Sequence, residues 1–218
     1  NKIGGTNSNY SSIVGGLRNT SSATCTFIGG GSSNQITSAG SNSSIVGGCK
    51  NTISAYSTFI GGGVLNTASG TCSFIGGGCG NENHPCLSSI VGGVSNIICS
   101  NSNISFIGGG AAHIIKENSN ESFIGGGYQN TICGKTSSIL GGCVNTVCGE
   151  HSSILGGYTN EVSSSCSSIS NGFKNIVSAN FSTIVGGLCN QVLNTGAFTS
   201  IVGGFKNTSP ANYTGILG

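Results

Sequence analysis

The sequence predicts an all-β fold: a β-solenoid (parallel β-roll) of about 14 coils, 15–17 residues per coil, with two short strands in each. Three observations predict it. A Ser/Thr-x-Ile phrase recurs down the whole chain at two spacings, a short one (Ile13 to Ile28) and one two positions longer (Ile28 to Ile45). Glycines follow it at once, and an Asn stands six residues beyond nearly every central Ile. Finally, a repeat as short as Ile13 to Ile28 cannot hold a helix plus a strand, but it suits one coil with two strands.

The first strand carries the phrase. Its central residues, taken as position 0, are Ile13, Ile28, Ile45, Ile60, Ile75, Ile90, Ile107, Ile124, Ile139, Ile154, Ile169, Ile184, Ile201 and Ile216. All fourteen have Ser or Thr two residues earlier. The Gly pairs and triplets that follow read as tight turns and close backbone approach. After them comes the Asn column, which includes Asn34, Asn51, Asn66, Asn96, Asn130, Asn145, Asn160, Asn175 and Asn190, with His113 as its one exception. Asn tolerates left-handed turns, bonds nearby backbone, and can form an amide ladder when stacked. The second strand follows the Asn by two residues, with Ile or Val at nine positions from Ile36 to Val192. Ser21, Ala68, Asn83 and Ser209 weaken that column.

Four of the intervals are the longer kind, and their surplus falls after the second strand, near Ser38, Cys99, Lys116 and Leu193. Insertion at one corner is what a stack of coils tolerates. Asn1-Lys2-Ile3 matches a second strand and Thr214–Gly218 matches a first strand. The expectation is one array over residues 1–218, uncapped, a segment of a longer array or a chain that stacks end to end.

Neighbours of the central Ile obey a volume rule. Residues −1 and +1 share the strand face opposite to the Ile. Phe27, Phe59, Phe74, Phe106 and Phe123 at −1 are each followed by Gly at +1. Where −1 is Ser or Thr, +1 is bulky at Val14, Val46, Val91, Leu140, Leu155, Val185 and Val202; only the Ser168/Ser170 coil has nothing bulky. One large apolar group per coil, never two, is a packing constraint, and volume matters in close packing rather than in water. These twelve residues are therefore the expected interface between copies of the chain around an axis. A flattened roll that uses both faces itself is the other reading.

Composition limits the chemistry. Among 218 residues there are 40 Gly, no Met, no Trp and no Asp; charged residues are 6% and the net charge is +2. No basic nucleic-acid surface or membrane-spanning apolar run is present. Gly63 is followed by Val64 and Gly127 by Tyr128, so no triplet has the Lys-Ser/Thr of a phosphate loop. Calcium-binding rolls need Asp. His84, His113 and His151 lie at different offsets, and Cys79, His84 and Cys86 are the nearest approach to a zinc set, without a second pair. No catalytic residue, metal or cofactor is expected. Of eleven Cys, Cys133 and Cys148 share one offset in adjacent coils, which stacking brings to about 4.8 Å, within disulfide range. Asn-x-Ser/Thr triplets, Asn19 and Asn42 among them, allow glycosylation if the chain is secreted.

The Ser-x-Ile-x-Gly-Gly phrase with Asn downstream resembles the head repeats of trimeric autotransporter adhesins (YadA-like), and still more the related repeat arrays of bacterial and large-virus surface and fibre proteins. The resemblance covers Asn1 to Gly218. It implies a homotrimer of β-rolls with one strand of each coil facing the axis. The expected function is then a non-enzymatic fibre, stalk or adhesive filament, extracellular or on a virion, with itself as first partner and a host-surface glycan or receptor as a further one. The alternative is a flat-face ligand-binding solenoid for glycan or ice. The residue after the Asn is Thr at Thr20, Thr52, Thr67, Thr131, Thr146 and Thr208 but Gln, Glu or Ile elsewhere, which speaks against ice.

Overall fold

The computed structural model describes residues 1–5 and 8–218. It is all-β: a parallel β-solenoid of about 14 turns with two strands per coil, each strand two residues long. The chain divides into two compact units, Asn1–Ala111 and Ala112–Gly218. In the first unit, seven second-type strands from Lys2–Ile3 to Ile97–Ile98 form one sheet, and seven first-type strands from Ser12–Ile13 to Phe106–Ile107 form the other. In the second unit the corresponding columns run from Ile114–Ile115 to Thr208–Ser209 and from Phe123–Ile124 to Gly215–Ile216.

The register follows the sequence columns. Phe74 lies against Phe59 and Ile75 against Ile60; across one of the longer intervals Ser89 still lies against Phe106. The surplus of the long coils is taken up in the turn after the second strand, where the Gly40 and Gly196 N–H groups donate back to the Thr37 and Leu193 carbonyls at 3.0 and 2.8 Å. A third parallel column, not expected from the sequence, lies four residues past each central Ile. It is made of isolated bridges, Leu17 to Ser32 to Cys49 in the first unit and Tyr128 to Cys143 to Tyr158 in the second.

Besides the turn glycine, the coils turn at left-handed positions three residues before and five residues after the central Ile, and Asn101 and Asn118 add one more in two of the longer coils. Residues of all kinds occupy them: Lys50 at φ 55°, Ile104 at 59°, Val144 at 58° and Phe181 at 56°. Such a backbone costs a non-glycine residue about 1–2 kcal/mol. The compensation is hydrogen bonding. At these corners the N–H donates to the preceding coil (Lys50 to Ser32 O, Ser57 to Ser41 O, both 2.9 Å), whereas strand N–H groups donate to the following coil (Val46 to Ile60 O, 3.0 Å). The second glycine of each pair is obligatory. Gly31 has φ +86° and an added Cβ would lie 2.0 Å from the Gly48 carbonyl oxygen. At the first glycine, Gly47 for example, a Cβ meets nothing, and one coil carries Asn171 there instead.

The core is a stack of single residues. The central Ile from Ile28 to Ile201 and the second-strand Ile and Val from Ile36 to Val192 are fully buried. Ala68 and the polar Ser21, Asn83 and Ser209 take the same buried positions, so a weak sequence column does not mean an open one. Two polar spines flank the apolar stack. In the Asn spine, Asn51 Nδ2 donates to its own coil's Gly47 O and to the next coil's Gly63 O, both at 3.0 Å, and its Oδ1 accepts the next Asn66 N–H at 3.0 Å. Asn34, Asn66, Asn96, Asn145, Asn160, Asn175 and Asn190 make the same pair of donations to turn carbonyls, with Asn171 standing in for one glycine. Asn130 does so too, at 3.0 Å to both Gly126 and Gly142. The ladder thus runs mainly through backbone; direct amide-to-amide bonds join Asn51 to Asn34 and Asn175 to Asn160, at 3.2 Å.

The second spine explains the Ser/Thr column. Ser43 Oγ donates to the next coil's Ala55 O at 3.1 Å and accepts the Thr58 N–H at 2.9 Å. Ser152 repeats this with Ser164 O and the Ser167 N–H, at 2.9 and 3.1 Å. The carbonyl that receives the hydroxyl belongs to a small buried residue: Ala55, Ser164, Ala179.

Two outcomes test this account. Asn51→Ala strands the Asn66 N–H and the Gly47 carbonyl, while Gly63 O keeps the Cys49 N–H; loss of that set is expected to cost about 3 kcal/mol, against within about 0.5 kcal/mol for Thr52→Ala on the outward side of the next strand, read by denaturant titration. Asn83 Oδ1 is buried without a partner. Its Nδ2 donates to Phe74 O at 3.2 Å and to Ser88 O at 2.8 Å, so Asn83→Val gives up both bonds and should lower the melting temperature; an unchanged or raised value would contradict the packing described.

Candidate functional site

The residue pairs beside the central Ile form the candidate interaction face. Alternation along a strand turns the Ile inward and its neighbours outward. Phe27, Phe74 and Phe123 are 37–39% exposed, and Val46, Val91, Leu140, Leu155, Val185 and Val202 are 45–52% exposed, each next to a central Ile at 0%. Val14 is more open still, while Phe59 and Phe106 are half-buried. Phe59 and Phe74, on adjacent coils, stack with ring centroids 5.5 Å apart. No Lys, Arg, His or Glu stands at any of these positions. The charges sit elsewhere: Lys50, Lys174 and Lys206 on one left-handed corner, Glu82 and Glu161 on the other sheet.

The Phe–Gly pairing has two causes. An added Cβ on Gly61 would lie 3.4 Å from the Phe59 ring, and one on Gly76 would lie 3.4 Å from the Phe74 ring. The tighter obstacle is backbone: the same Cβ atoms would lie 2.3 Å from the Gly76 and Val91 carbonyl oxygens. The glycine therefore makes room for the ring and also lets the next coil come close.

The cysteine expectation is met in the second unit, where Cys133 and Cys148 form a disulfide with Cα atoms 4.4 Å apart. It links the ends of two stacked second-type strands. Cys72 and Cys86 are free thiols. Among the described residues, no three His, Cys, Asp or Glu side chains converge to hold a metal, and no cavity is found.

Histidines take three different places. His113 fills the Asn spine, fully buried, with Nδ1 accepting the Asn130 N–H at 3.1 Å. Burial pushes its pKa below the ordinary 6.5 and outweighs the opposing hydrogen bonding to the Gly127 and Asn130 backbone. Only neutral imidazole offers that acceptor. His151 occupies a left-handed corner and is exposed. His84 lies on the outward side of the second sheet, where Ser69 Oγ is 2.7 Å from Nδ1 and Glu82 Oε2 is 3.1 Å from Nε2. Sequence reasoning missed that trio, because Ser69 is a whole coil away from His84. The available signal was a Glu-x-His on one strand with a Ser one short repeat before the His.

Of the triplets allowing glycosylation, Asn19 is fully buried in the Asn spine and unavailable, whereas Asn9, Asn42, Asn180 and Asn212 are exposed. No family model matches the chain, and no curated protein matches it.

The His113 spine position predicts a pH effect. Well above pH 6.5 the histidine is neutral folded and unfolded, and its contribution to stability is complete. As pH falls below 6.5 the unfolded chain takes up a proton that the folded chain resists, so stability declines toward the lowered folded pKa. His113→Asn should lessen the loss of amide protection between pH 7 and 5 in the second unit, measured by hydrogen exchange on the whole chain. Equal losses in both proteins would refute this role.

Proposed function

We propose that the chain is a structural protein, one that builds a rigid surface fibre, stalk or filament by assembling with copies of itself. One observation carries the reading: a charge-free column of outward Phe, Val and Leu runs along each unit, never more than one large group per coil and interrupted only at Ser168/Ser170, half-exposed in the single chain. Contiguous apolar surface of this kind marks an interaction site.

Its spacing favours a copy over a different partner. Phe and Val coils alternate irregularly, and short and long intervals between coils are mixed without a period. A parallel copy related by rotation about an axis along the stack presents the same residue at the same height. The match is then automatic, and a homotrimer gives each chain two such neighbours with no open face. Ordered main-chain pairing along the axis supplies stiffness. The cross-coil disulfide and the exposed Asn42 and Asn180 triplets suit an extracellular or virion-surface location, with adhesion to a glycan or receptor as the accompanying role.

Flat-face ice binding is less well supported. The outward column of the second-type strands contains Gln35, Glu82, Ile97 and Glu161 among its Thr residues.

Phe74→Asp separates assembly from its absence. Wild-type chain should run in multi-angle light scattering at three times the chain mass of 21.5 kDa, and the variant lower. Thr67→Asp, on the other sheet, should keep the wild-type mass. A monomeric wild type, or a variant of unchanged mass, would overturn the proposal.

A further inference from the structure

The Ser69, His84 and Glu82 trio is built by coil stacking. Glu82 and His84 are two residues apart on one strand and so share its outward face. Thr67 pairs with Glu82 and Ala68 with Asn83, which sets Ser69 opposite His84. The Glu82 carboxylate can only accept, so the 3.1 Å contact places a hydrogen on His84 Nε2. The Nδ1 lone pair is then left for the Ser69 hydroxyl, which donates to it at 2.7 Å. Nucleophile, base and a third group that orients the base are the logic of activated serine sites. Side-chain exposure is 29% for His84 and 47% for Glu82, so a reagent reaches the trio from solvent.

We infer that Ser69 is an activated nucleophile, with His84 as its general base and Glu82 as the positioning carboxylate, and that it takes acyl or phosphonyl groups from activated esters and fluorides. The inference goes beyond the structural role and does not depend on it. The surroundings fix the substrate class. The Ser69 and Gly70 N–H groups both donate to the Asn83 carbonyl, at 2.9 and 3.3 Å, so neither is free to hold an oxyanion. No cavity is found among the described residues. The leaving group must therefore depart without help. With an aryl ester, the Ser69 proton passes to His84 Nδ1, the Oγ–C bond forms, the C–O bond breaks and aryloxide leaves; water then cleaves the acyl-serine, releasing the acid. With an alkyl fluorophosphonate, the Oγ–P bond forms, the P–F bond breaks, fluoride leaves and the proton passes through His84 to solvent.

The column supplies its own controls, since Ser54 and Ser178 hold the same register position on the outward side with no histidine beside them. The test is labelling of the whole chain by a fluorophosphonate probe, read serine by serine in peptide mass spectra. Ser69 should be modified about ten-fold or more faster than Ser54 and Ser178. His84→Ala should bring Ser69 down to the Ser54 rate, and Glu82→Gln should slow Ser69 while leaving Ser54 unchanged. Release of nitrophenol from nitrophenyl acetate should fall in Ser69→Ala. Ser69 labelling equal to that of Ser54, or unaffected by His84→Ala, would show a merely structural hydrogen-bonded trio.

Discussion

Hydrogen bonding at the corners of the coil governs this protein. Two-residue strands pair only a small part of each coil. The remaining peptides lie in turns around an interior filled with Ile and Val, and a buried peptide group without a partner costs about 1–3 kcal/mol. The coil meets this demand by sending each group to its neighbour above or below. Where backbone cannot reach, a side chain completes the ladder, and that side chain must both donate and accept. Asn does so at one corner, as Asn51 shows, and Ser or Thr at the other, as Ser43 shows. His113 is tolerated in the Asn column because its neutral ring still offers Nδ1 to the next N–H.

The same constraint accounts for the glycines and the small corner residues. Coils must approach closely enough to bond, so no Cβ fits at Gly31 or Gly63, where it would meet the next coil's carbonyl at 2.0 and 2.1 Å. The hydroxyl spine needs a small buried partner such as Ala55 or Ala179. With so much of the interior prescribed, variation moves outward. It falls on the −1/+1 face, on the left-handed corners and on the outward side of the second sheet. The first of these excludes charge and never carries two large groups in one coil, which suits contact with another chain. The last accepts charge and hydroxyls.

Coil stacking also creates chemistry between residues that are distant in sequence. Residues one repeat apart become nearest neighbours, as the Cys133–Cys148 disulfide and the contact of Ser69 with His84 both show. Aromatic residues behave alike: Phe181, Phe198 and Tyr213, all at left-handed corners, stack with centroids 5.0 and 5.1 Å apart. A local motif search finds none of these.

The repeat, its two strands, the corner that absorbs the longer intervals and the Cys133–Cys148 register are legible in the amino-acid order alone. Each is a periodic choice of residue type, since burial selects Ile and Val and close approach selects Gly. Tertiary structure alone decided the rest. The left-handed corners hold Lys50, Ile104 and Phe181 alike, because cross-coil bonds rather than residue propensity hold them there. Asn83 and Ser209 are buried where their chemistry suggests otherwise, because the stack above and below covers them. The Ser/Thr column was visible as a pattern, but its purpose was not, since the carbonyls and N–H groups it serves belong to the next coil. The Ser69 trio likewise exists only once a coil's rise brings a third residue to the pair on the strand.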